Sequence, residues 1–303
     1  MIRRTIHALA DNQSFTGWLS RRGMQWGFAR RFIAGESLDE AFPAVRELND
    51  AGLNVTLDYL GEAVHDEEAT RAAAAIYCEM LDSIAASDVR ASISLKLSQL
   101  GQEISNELTE ENLRTILVRA GEHDNFVRLD IEDSSTTQRT IDTLQAVRAD
   151  FLNVGMAIQA YLRRSAQDIA DLNSIGAQVR LCKGAYQEAA DVAFTDKSEV
   201  DASYERLATS LLEEGNYPAF ATHDPRMIAH VLAEAERLGC GSDDFEFQML
   251  YGIRRDEQVD LVKRGYRVRV YVPFGTQWCP YFMRRIAERP ANALFVMRAM
   301  VGG

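Results

Sequence analysis

The fold is decided by residues 154–184, VGMAIQAYLRRSAQDIADLNSIGAQVRLCKG. Two short apolar runs, VGMAIQAY and QVRLCK, flank a helical stretch that ends near Gly176. A glycine just past a helix accommodates the left-handed backbone with which helices often end. A strand, a helix and a second strand in this order predict one unit of a parallel sheet.

The same pattern occurs eight times along the chain. The apolar and β-branched runs are LNVTLD (53–58), ASISLKL (91–97), FVRLDI (126–131), VGMAIQAY (154–161), QVRLCK (178–183), PAFATH (218–223), FEFQML (245–250) and YRVRVYV (266–272). Eight strand–helix units with no break between them predict an α/β fold of the closed (β/α)8, TIM-like type. A doubly wound open sheet is the alternative, and the absence of GxGxxG after any strand weakens it.

A helical segment precedes this pattern. Residues 14–50 read as helices, and Ser37 with Glu40 three residues later forms a capping box. We therefore predict N-terminal helices packed on the barrel over residues 1–50. Residues 51–303 are predicted to form the barrel itself, ending in a helix.

Composition excludes several classes of protein. Hydrophobic residues make up 47% of the chain and charged residues 26%, as expected of a globular protein with a sizeable core. The net charge of −12 argues against nucleic acid as a partner. The chain start lacks the pattern of a secretory signal, and no apolar run is long enough to span a membrane. Four cysteines without CxxC spacing indicate reduced thiols in a cytoplasmic protein.

Polar residues occupy the ends of most predicted strands, which is where catalytic residues of such barrels lie. These ends carry Asp58, Lys96, Asp130, Gln159 with Tyr161, Lys183-Gly184-Ala185, Thr222-His223-Asp224, and Tyr271. Arg180 alternates with Val179 and Leu181 and therefore points to the opposite side of its strand. One such charge, for instance Lys96, can simply be paired with a barrel carboxylate. A ring of polar and charged residues at the strand ends predicts a binding pocket, because buried charges are costly unless paired or ligated.

The stretch after the last strand, YFMRRIAERPAN (281–292), reads as a short helix with a polar face. Positions i, i+3, i+4 and i+7 of that face are Tyr281, Arg284, Arg285 and Glu288. A solvated surface is the alternative explanation, since arginines are mostly exposed. A helix that follows strand eight can reach over the barrel mouth, however. Two guanidiniums with Lys96 would then favour a small carboxylic acid as ligand.

Other residues bear on cofactors. His223 is the only histidine at a predicted strand end, so we expect no metal site. Lys183-Gly184-Ala185 combines a cation with a turn of small residues before a helix. That combination can bind phosphate groups, although the motif alone is weak.

Seven motifs in chain order resemble those of the proline dehydrogenase family. They are SLKLSQLG (94–101), RLDIEDS (128–134), IQAYLRRS (158–165), VRLCKGAY (179–186), FATHD (220–224), FQMLYG (247–252) and YVPFGT…YFMRRIAERPAN (271–292). The resemblance covers about Leu53 to Asn292 and is closest to the short, monofunctional bacterial form. It implies an FAD-dependent barrel that oxidises L-proline to 1-pyrroline-5-carboxylate, by hydride transfer from proline C5 to flavin N5.

The resemblance also implies roles for individual residues. On the substrate side it assigns Lys96, Arg284 and Arg285 to the proline carboxylate, Tyr271, Tyr281 and Leu250 to the proline ring, and Glu288 to pairing with the arginine helix. Asp130 is implied as an active-site carboxylate that organises Tyr271 and Lys96. On the cofactor side it assigns Arg180 near flavin N5, Gln159 and Ile131 on the isoalloxazine, Lys183, Gly184 and Ala185 on the ribityl and pyrophosphate, and Thr222 and His223 as further contacts.

Partners follow from the same resemblance. Electrons are expected to pass to a quinone at the membrane surface, and the product to a pyrroline-5-carboxylate dehydrogenase. One departure concerns the adenine end of FAD, where Gln187 stands in place of a tryptophan frequent in long bifunctional members. Two other functions remain open from the residues alone. One is a Schiff-base aldolase that uses Lys96 or Lys183, and the other is a barrel that binds an amino acid or flavin without catalysis.

Overall fold

A computed structural model describes residues 29–61 and 64–282 of the chain. Its eight parallel strands close into one barrel in sequence order, with β8 paired to β1, which confirms the predicted fold. The strands are β1 (Asn54–Tyr59), β2 (Ala91–Leu95), β3 (Val127–Leu129), β4 (Val154–Gln159), β5 (Gln178–Cys182), β6 (Ala219–Ala221), β7 (Glu246–Leu250) and β8 (Arg267–Phe274).

Helices alternate with the strands around the described barrel. They are α1 (Leu38–Asp50), α2 (Glu67–Ala86), α3 (Asn106–Glu122), α4 (Ser134–Arg148), α5 (Ser165–Ser174), α6 (Lys197–Glu214), α7 (Pro225–Leu238) and α8 (Arg255–Lys263), with 3-10 turns at Ala29–Arg31 and Leu97–Leu100. Side chains such as Asp133 and Asp224 accept hydrogen bonds from the first backbone N–H groups of α4 and α7. No helix in this part of the chain combines the length and apolar character that a membrane span requires.

The described part of the N-terminal segment packs on the barrel. The Ser37 side chain accepts a hydrogen bond from the Glu40 N–H, as the predicted capping box requires. Helix α1 buries Phe42, Val45 and Leu48 in the same hydrophobic cluster as the outer faces of the strands. Residues 1–28 lie outside the described residues, and the division of the chain at residues 50 and 51 stays a prediction.

The segment before α1 also holds the end of β8. The Ala34 N–H donates to the Pro273 carbonyl at 3.0 Å, and the Gly275 N–H donates to the Gly35 carbonyl at 3.0 Å. The Trp278 indole N–H donates to Glu36 at 3.2 Å, and the rings of Trp278 and Phe282 meet edge to face. Residues 278–282 are helical. The N-terminal segment therefore fixes the start of the final helix at the barrel mouth, while Arg284, Arg285 and Glu288 lie outside the described residues.

The inside of the barrel is polar and charged, although the interiors of such barrels are usually filled by branched apolar side chains. Arg180 on β5 crosses to Gln248 on β7 and to Ser94 on β2. Arg269 on β8 pairs with Glu246 on β7. The alternate strand residues, such as Val55, Leu57 and Ile93, belong to the hydrophobic cluster between strands and helices. Stability therefore comes mainly from the layer outside the strands, and the interior is free to hold charged groups.

Gly155 on β4 makes room for one of these interior charges. A Cβ atom there would lie 2.3 Å from the Gln178 carbonyl oxygen and 2.8 Å from Arg128 Nη1. Gly155→Ala should therefore lower the free energy of unfolding by about 2 kcal/mol through overpacking, measured by urea unfolding. Gly121→Ala is the control, because its Cβ would meet only Asn153 at 3.9 Å. That variant should be neutral or slightly stabilising in the last turn of α3. Equal stability of the two variants would contradict the packing described for β4.

Candidate active site

A cavity of about 750 Å³ opens at the C-terminal ends of the strands. It is lined by every predicted site residue that falls within the described ranges. These are Lys96, Asp130, Ile131, Gln159, Arg180, Lys183, Gly184, Ala185, Thr222, His223, Leu250, Tyr271 and Tyr281. The barrel thus brings residues from seven different strand ends to one place, as the fold requires of its catalytic groups.

Asp130, directly after β3, joins four strands. Its Oδ1 accepts hydrogen bonds from Ser94 Oγ at 2.7 Å and from Arg180 Nη1, and its Oδ2 accepts from the Tyr271 hydroxyl at 2.6 Å. Burial and the negative charges of Asp130 and Asp58 raise the pKa of Tyr271 well above its usual value. Tyr271 therefore stays a protonated donor to Asp130.

Arg180 is held from several sides inside the barrel. Its Nε donates to Gln248 Oε1 at 2.5 Å, and its Nη1 donates to Asp130 and to Ser94 Oγ at 3.3 Å. Its guanidinium carbon lies 5.4 Å from the centre of the Tyr271 ring. The side chain is 7% exposed, so its charge is held in place rather than solvated. Such a charge interacts far more strongly than it would in water.

Lys96 and Asp58 form a second buried pair. Lys96 Nζ lies 3.2 Å from Asp58 Oδ1, and the two side chains are 16% and 1% exposed. Burial raises the pKa of Asp58 by more than Lys96 lowers it. Burial alone would lower the pKa of Lys96, but the charges of Asp58 and Asp130 raise it above its usual value. The family resemblance implies that Asp130 organises Lys96. The structure instead gives it Asp58 as hydrogen-bond partner, and Asp130 acts on it through charge alone.

The loop after β5 borders the other side of the cavity. Lys183 donates to Asp201 and, at 2.7 Å, to Asp224, whose carboxylate also caps α7. Gly184 has φ +103°, and a Cβ there would lie 2.2 Å from the Tyr161 ring. Only glycine fits this close approach. The loop backbone is thereby fixed against Tyr161, at the position where the family resemblance implies ribityl and pyrophosphate contacts.

Thr222 and His223 support the turn between β6 and α7. The Thr222 hydroxyl accepts a hydrogen bond from the Asp224 N–H at 3.1 Å, and His223 Nε2 accepts from the Leu250 N–H at 2.9 Å. Because Nε2 accepts, a neutral His223 carries its proton on Nδ1. Both side chains line the cavity while bracing its wall.

Two buried polar atoms on the cavity wall have no hydrogen-bond partner within the described residues. They are Gln159 Oε1, an acceptor on β4, and Arg180 Nη2, a donor on β5. The Gln159 amide nitrogen is already engaged, because it donates to the Glu132 carbonyl at 3.1 Å. A buried polar atom left unpaired costs about 1–3 kcal/mol. A flat ligand with both N–H donors and acceptors would satisfy both atoms, so the wall fits an isoalloxazine ring.

Of the residues predicted on the final helix, some fall within the described ranges, which end at residue 282, and others do not. Tyr281 is buried and lines the cavity, which places the start of the final helix over the site. Arg284, Arg285 and Glu288 lie outside the described residues. Within residues 29–61 and 64–282, no group of three or more His, Cys, Asp and Glu could hold a metal ion.

Sequence reasoning missed several residues that support the site. Gln248 and Glu246 alternate on β7 and so face inward together, a pattern that was available in the run FEFQML. Asp224 follows Thr222-His223 at a strand end, but nothing in the sequence predicts its contact with Lys183. Asp201 lies within α6, and no pattern in the sequence connects it to Lys183.

The known proteins to which this chain is similar all point to one family. The family model for Proline dehydrogenase matches residues 41–298. Proline dehydrogenase 1 of Bacillus subtilis is 42% identical over 301 residues, covering 99% of both chains. Proline dehydrogenase of Deinococcus radiodurans is 42% identical, covering 94% of this chain and 93% of its own. The crystal structure of proline utilization A from Bdellovibrio bacteriovorus, inactivated by N-propargylglycine, superposes with a TM-score of 0.82 at 30% identity, covering 90% of this chain and 33% of that chain.

The Lys96–Asp58 pair predicts a pH-dependent defect. Lys96→Met leaves Asp58 buried without a cation and should lower the free energy of unfolding by about 3–5 kcal/mol at neutral pH. The pKa of the Asp58 carboxyl is raised in the folded state, so its protonated form stabilises the fold at low pH. This stabilisation is lost as the pH rises through the folded-state pKa of Asp58. Without Lys96 the loss should extend to higher pH than in the wild type. Urea unfolding between pH 5 and 8 measures it.

The double variant Lys96→Met/Asp58→Asn is the matched control, since it removes both charges. It should recover most of the lost stability and show little pH dependence in this range. If the single and double variants were equally unstable at every pH, the two side chains would not be coupled as described.

Proposed function

The chain belongs to the proline dehydrogenase family, and from that premise we propose that it oxidises L-proline to 1-pyrroline-5-carboxylate with FAD as cofactor. The observation that carries the proposal is the composition of the cavity wall. One part bears the unpaired atoms Gln159 Oε1 and Arg180 Nη2, which suit a flavin ring. Another part bears Lys96, a cation that suits the carboxylate of a small amino acid.

On the cofactor side, Gln159, Arg180 and Ile131 would hold the flavin ring. The loop Lys183-Gly184-Ala185 with Thr222 and His223 would hold the ribityl and phosphate groups. When bound, FAD supplies the acceptor for the hydride of proline C5 and passes the electrons on to a quinone. Arg180 contributes a fixed positive charge where negative charge develops, and such preorganised charge is among the strongest catalytic effects.

On the substrate side, Lys96 would bind the proline carboxylate together with Arg284 and Arg285. Asp58 keeps Lys96 charged and directed, because its carboxylate is buried and lies 3.2 Å away. Tyr271, Tyr281 and Leu250 line the cavity where the apolar ring would lie. Glu288 would pair with the arginine helix.

Asp130 is proposed as the catalytic carboxylate because it holds Arg180 and Tyr271 at once. A strong base is not needed for the reaction, since the proline amine need only bind in its neutral form.

The Schiff-base alternative finds no support in the cavity. An amine nucleophile must be neutral, and catalytic lysines achieve this by a lowered pKa. The charges of Asp58 and Asp130 instead raise the pKa of Lys96. Lys183 donates hydrogen bonds to the carboxylates of Asp201 and Asp224, so its amine is engaged in two ion pairs rather than placed to attack a carbonyl.

The proposal includes partners beyond proline. Transfer of electrons to a quinone would place the protein at the membrane surface, on the cytoplasmic side. Transfer of the product to a pyrroline-5-carboxylate dehydrogenase is supported by relatives in which the matched part belongs to a larger protein. The Bifunctional protein PutA of Escherichia coli is 29% identical over 92% of this chain, which spans 25% of that protein.

The visible spectrum tests the function most simply. The purified protein should be yellow, and anaerobic addition of L-proline should bleach its flavin absorbance because the cofactor accepts electrons from the substrate. Borohydride with an aldehyde should trap no adduct on Lys96. A colourless protein trapped by borohydride would favour the aldolase, and a yellow protein that binds proline without bleaching would favour the non-catalytic reading.

The arginine pair tests the substrate side separately. Arg284→Met or Arg285→Met should weaken proline binding by about 2–5 kcal/mol, because a charge-assisted contact to the carboxylate is lost. FAD content should stay unchanged. Steady-state KM and flavin absorbance per protein measure the two effects, and unchanged saturation by proline would contradict the carboxylate assignment.

A further inference from the structure

A column of polar side chains lies beneath Arg180 inside the barrel. Glu246 and Gln248 are alternate residues of β7, and both are buried, at 1% and 4% exposure. Gln248 Nε2 donates to Glu246 Oε1 at 2.5 Å. Arg269 on β8 donates to both Glu246 oxygens, at 2.7 and 3.1 Å, and the Tyr217 hydroxyl donates to Oε2 at 3.2 Å.

Glu246 fixes which way the Gln248 amide points. Burial would raise the pKa of Glu246, but the charge and hydrogen bonds of Arg269 lower it, so the side chain stays ionised. An ionised carboxylate only accepts hydrogen bonds. The Gln248 amide must therefore turn its NH2 group to Glu246 and its oxygen to Arg180. Reversing the amide would set two donors against each other at Arg180 Nε and leave two acceptors facing each other at Glu246.

Arg180 consequently has two different anchors. Gln248 Oε1 holds Nε at 2.5 Å, and Asp130 with Ser94 holds Nη1. A guanidinium is planar and rigid, so fixing two of its nitrogens fixes the third. The third nitrogen is Nη2, which is buried and unpaired within the described residues.

We propose that Gln248 is a positioning residue for Arg180, whose amide, oriented by Glu246 and Arg269, holds the guanidinium so that Nη2 is presented to the cofactor. The inference rests on the proposed function for its catalytic consequence. The orientation of Arg180 itself depends only on contacts within the chain. Asp130 alone does not determine it, because a single carboxylate contact at Nη1 leaves the plane of the guanidinium free to rotate.

The test compares Gln248→Met with Gln102→Met in the flavin-loaded protein. Methionine has a similar length and cannot accept the Arg180 Nε–H with comparable strength. Gln102 is the matched control because it is similarly buried, at 2%, donates to Thr140, and does not line the cavity. Gln248→Met should lower kcat about tenfold or more while KM for proline changes less than about threefold.

The midpoint potential of the bound flavin supplies a second readout that a purely structural role would not move. A less well-held Arg180 should stabilise the reduced, negatively charged flavin less, so the potential should fall. A tenfold loss in that preference corresponds to about 30 mV for two electrons. Gln102→Met should leave kcat and potential at wild-type values. A folded, yellow Gln248→Met protein with wild-type kcat and potential would overturn the proposal.

Gln248→Glu provides a second test of the role of Gln248 if the methionine variant fails to fold. It preserves length and an acceptor for Arg180 Nε, but it places a second carboxylate beside Glu246 and offsets the charge of Arg180. We expect a lower flavin potential that varies with pH more steeply than in the wild type. A wild-type potential with a wild-type pH profile in this variant would also overturn the proposal.

The Nε–H resonance of Arg180 separates this inference from the proposed function. In a 15N-labelled protein this buried proton should exchange slowly and give a distinct signal, assigned by its absence in Arg180→Lys. Gln248→Met should lose the protection and Gln102→Met should keep it. A wild-type protein that fails to oxidise proline would refute the function, while the resonance would still decide the role of Gln248. Unchanged protection in Gln248→Met would refute that role whatever the activity.

Discussion

The site depends on one carboxylate at the barrel mouth, that of Asp130. It follows β3 and accepts hydrogen bonds from Ser94 on β2, Arg180 on β5 and Tyr271 on β8. Three donors from three other strands meet at two oxygens, which leaves the groups around it little freedom to turn. The cation and the phenol that line the cavity are therefore held before any ligand arrives. Preorganisation of this kind avoids a reorganisation cost during the reaction.

Two further ion pairs lie inside the barrel. Glu246 pairs with Arg269 and Asp58 pairs with Lys96, each largely excluded from water. Arg128, deeper in the barrel, has a pKa lowered to about 9, mainly by burial and also by the charge of Arg180. Buried ion pairs add little net stability compared with apolar residues of equal size. The apolar layer between strands and helices supplies the stability. The ion pairs in the barrel interior instead supply the fixed charges that the proposed function requires.

The fold followed from the sequence because each strand–helix unit carries its own local pattern. Eight such runs can be read without any knowledge of distant contacts, and strand ends such as Asp130, Gln159 and Tyr271 then fall on one rim. Partners across the barrel could not be read in the same way. Asp58 and Asp130 both end strands near Lys96, and the choice between them depends on side-chain packing. The contact of Trp278 with Glu36 joins residues 242 apart in the chain, and no local pattern encodes it.

We propose that two unpaired atoms on the cavity wall, Gln159 Oε1 and Arg180 Nη2, form hydrogen bonds with the flavin ring. A crystal structure of the protein loaded with FAD measures this directly. We expect both atoms to lie within hydrogen-bonding distance of the isoalloxazine ring, with the Asp130, Ser94 and Gln248 contacts of Arg180 retained. An isoalloxazine ring bound elsewhere, with both atoms facing water or side chains of this chain, would contradict it.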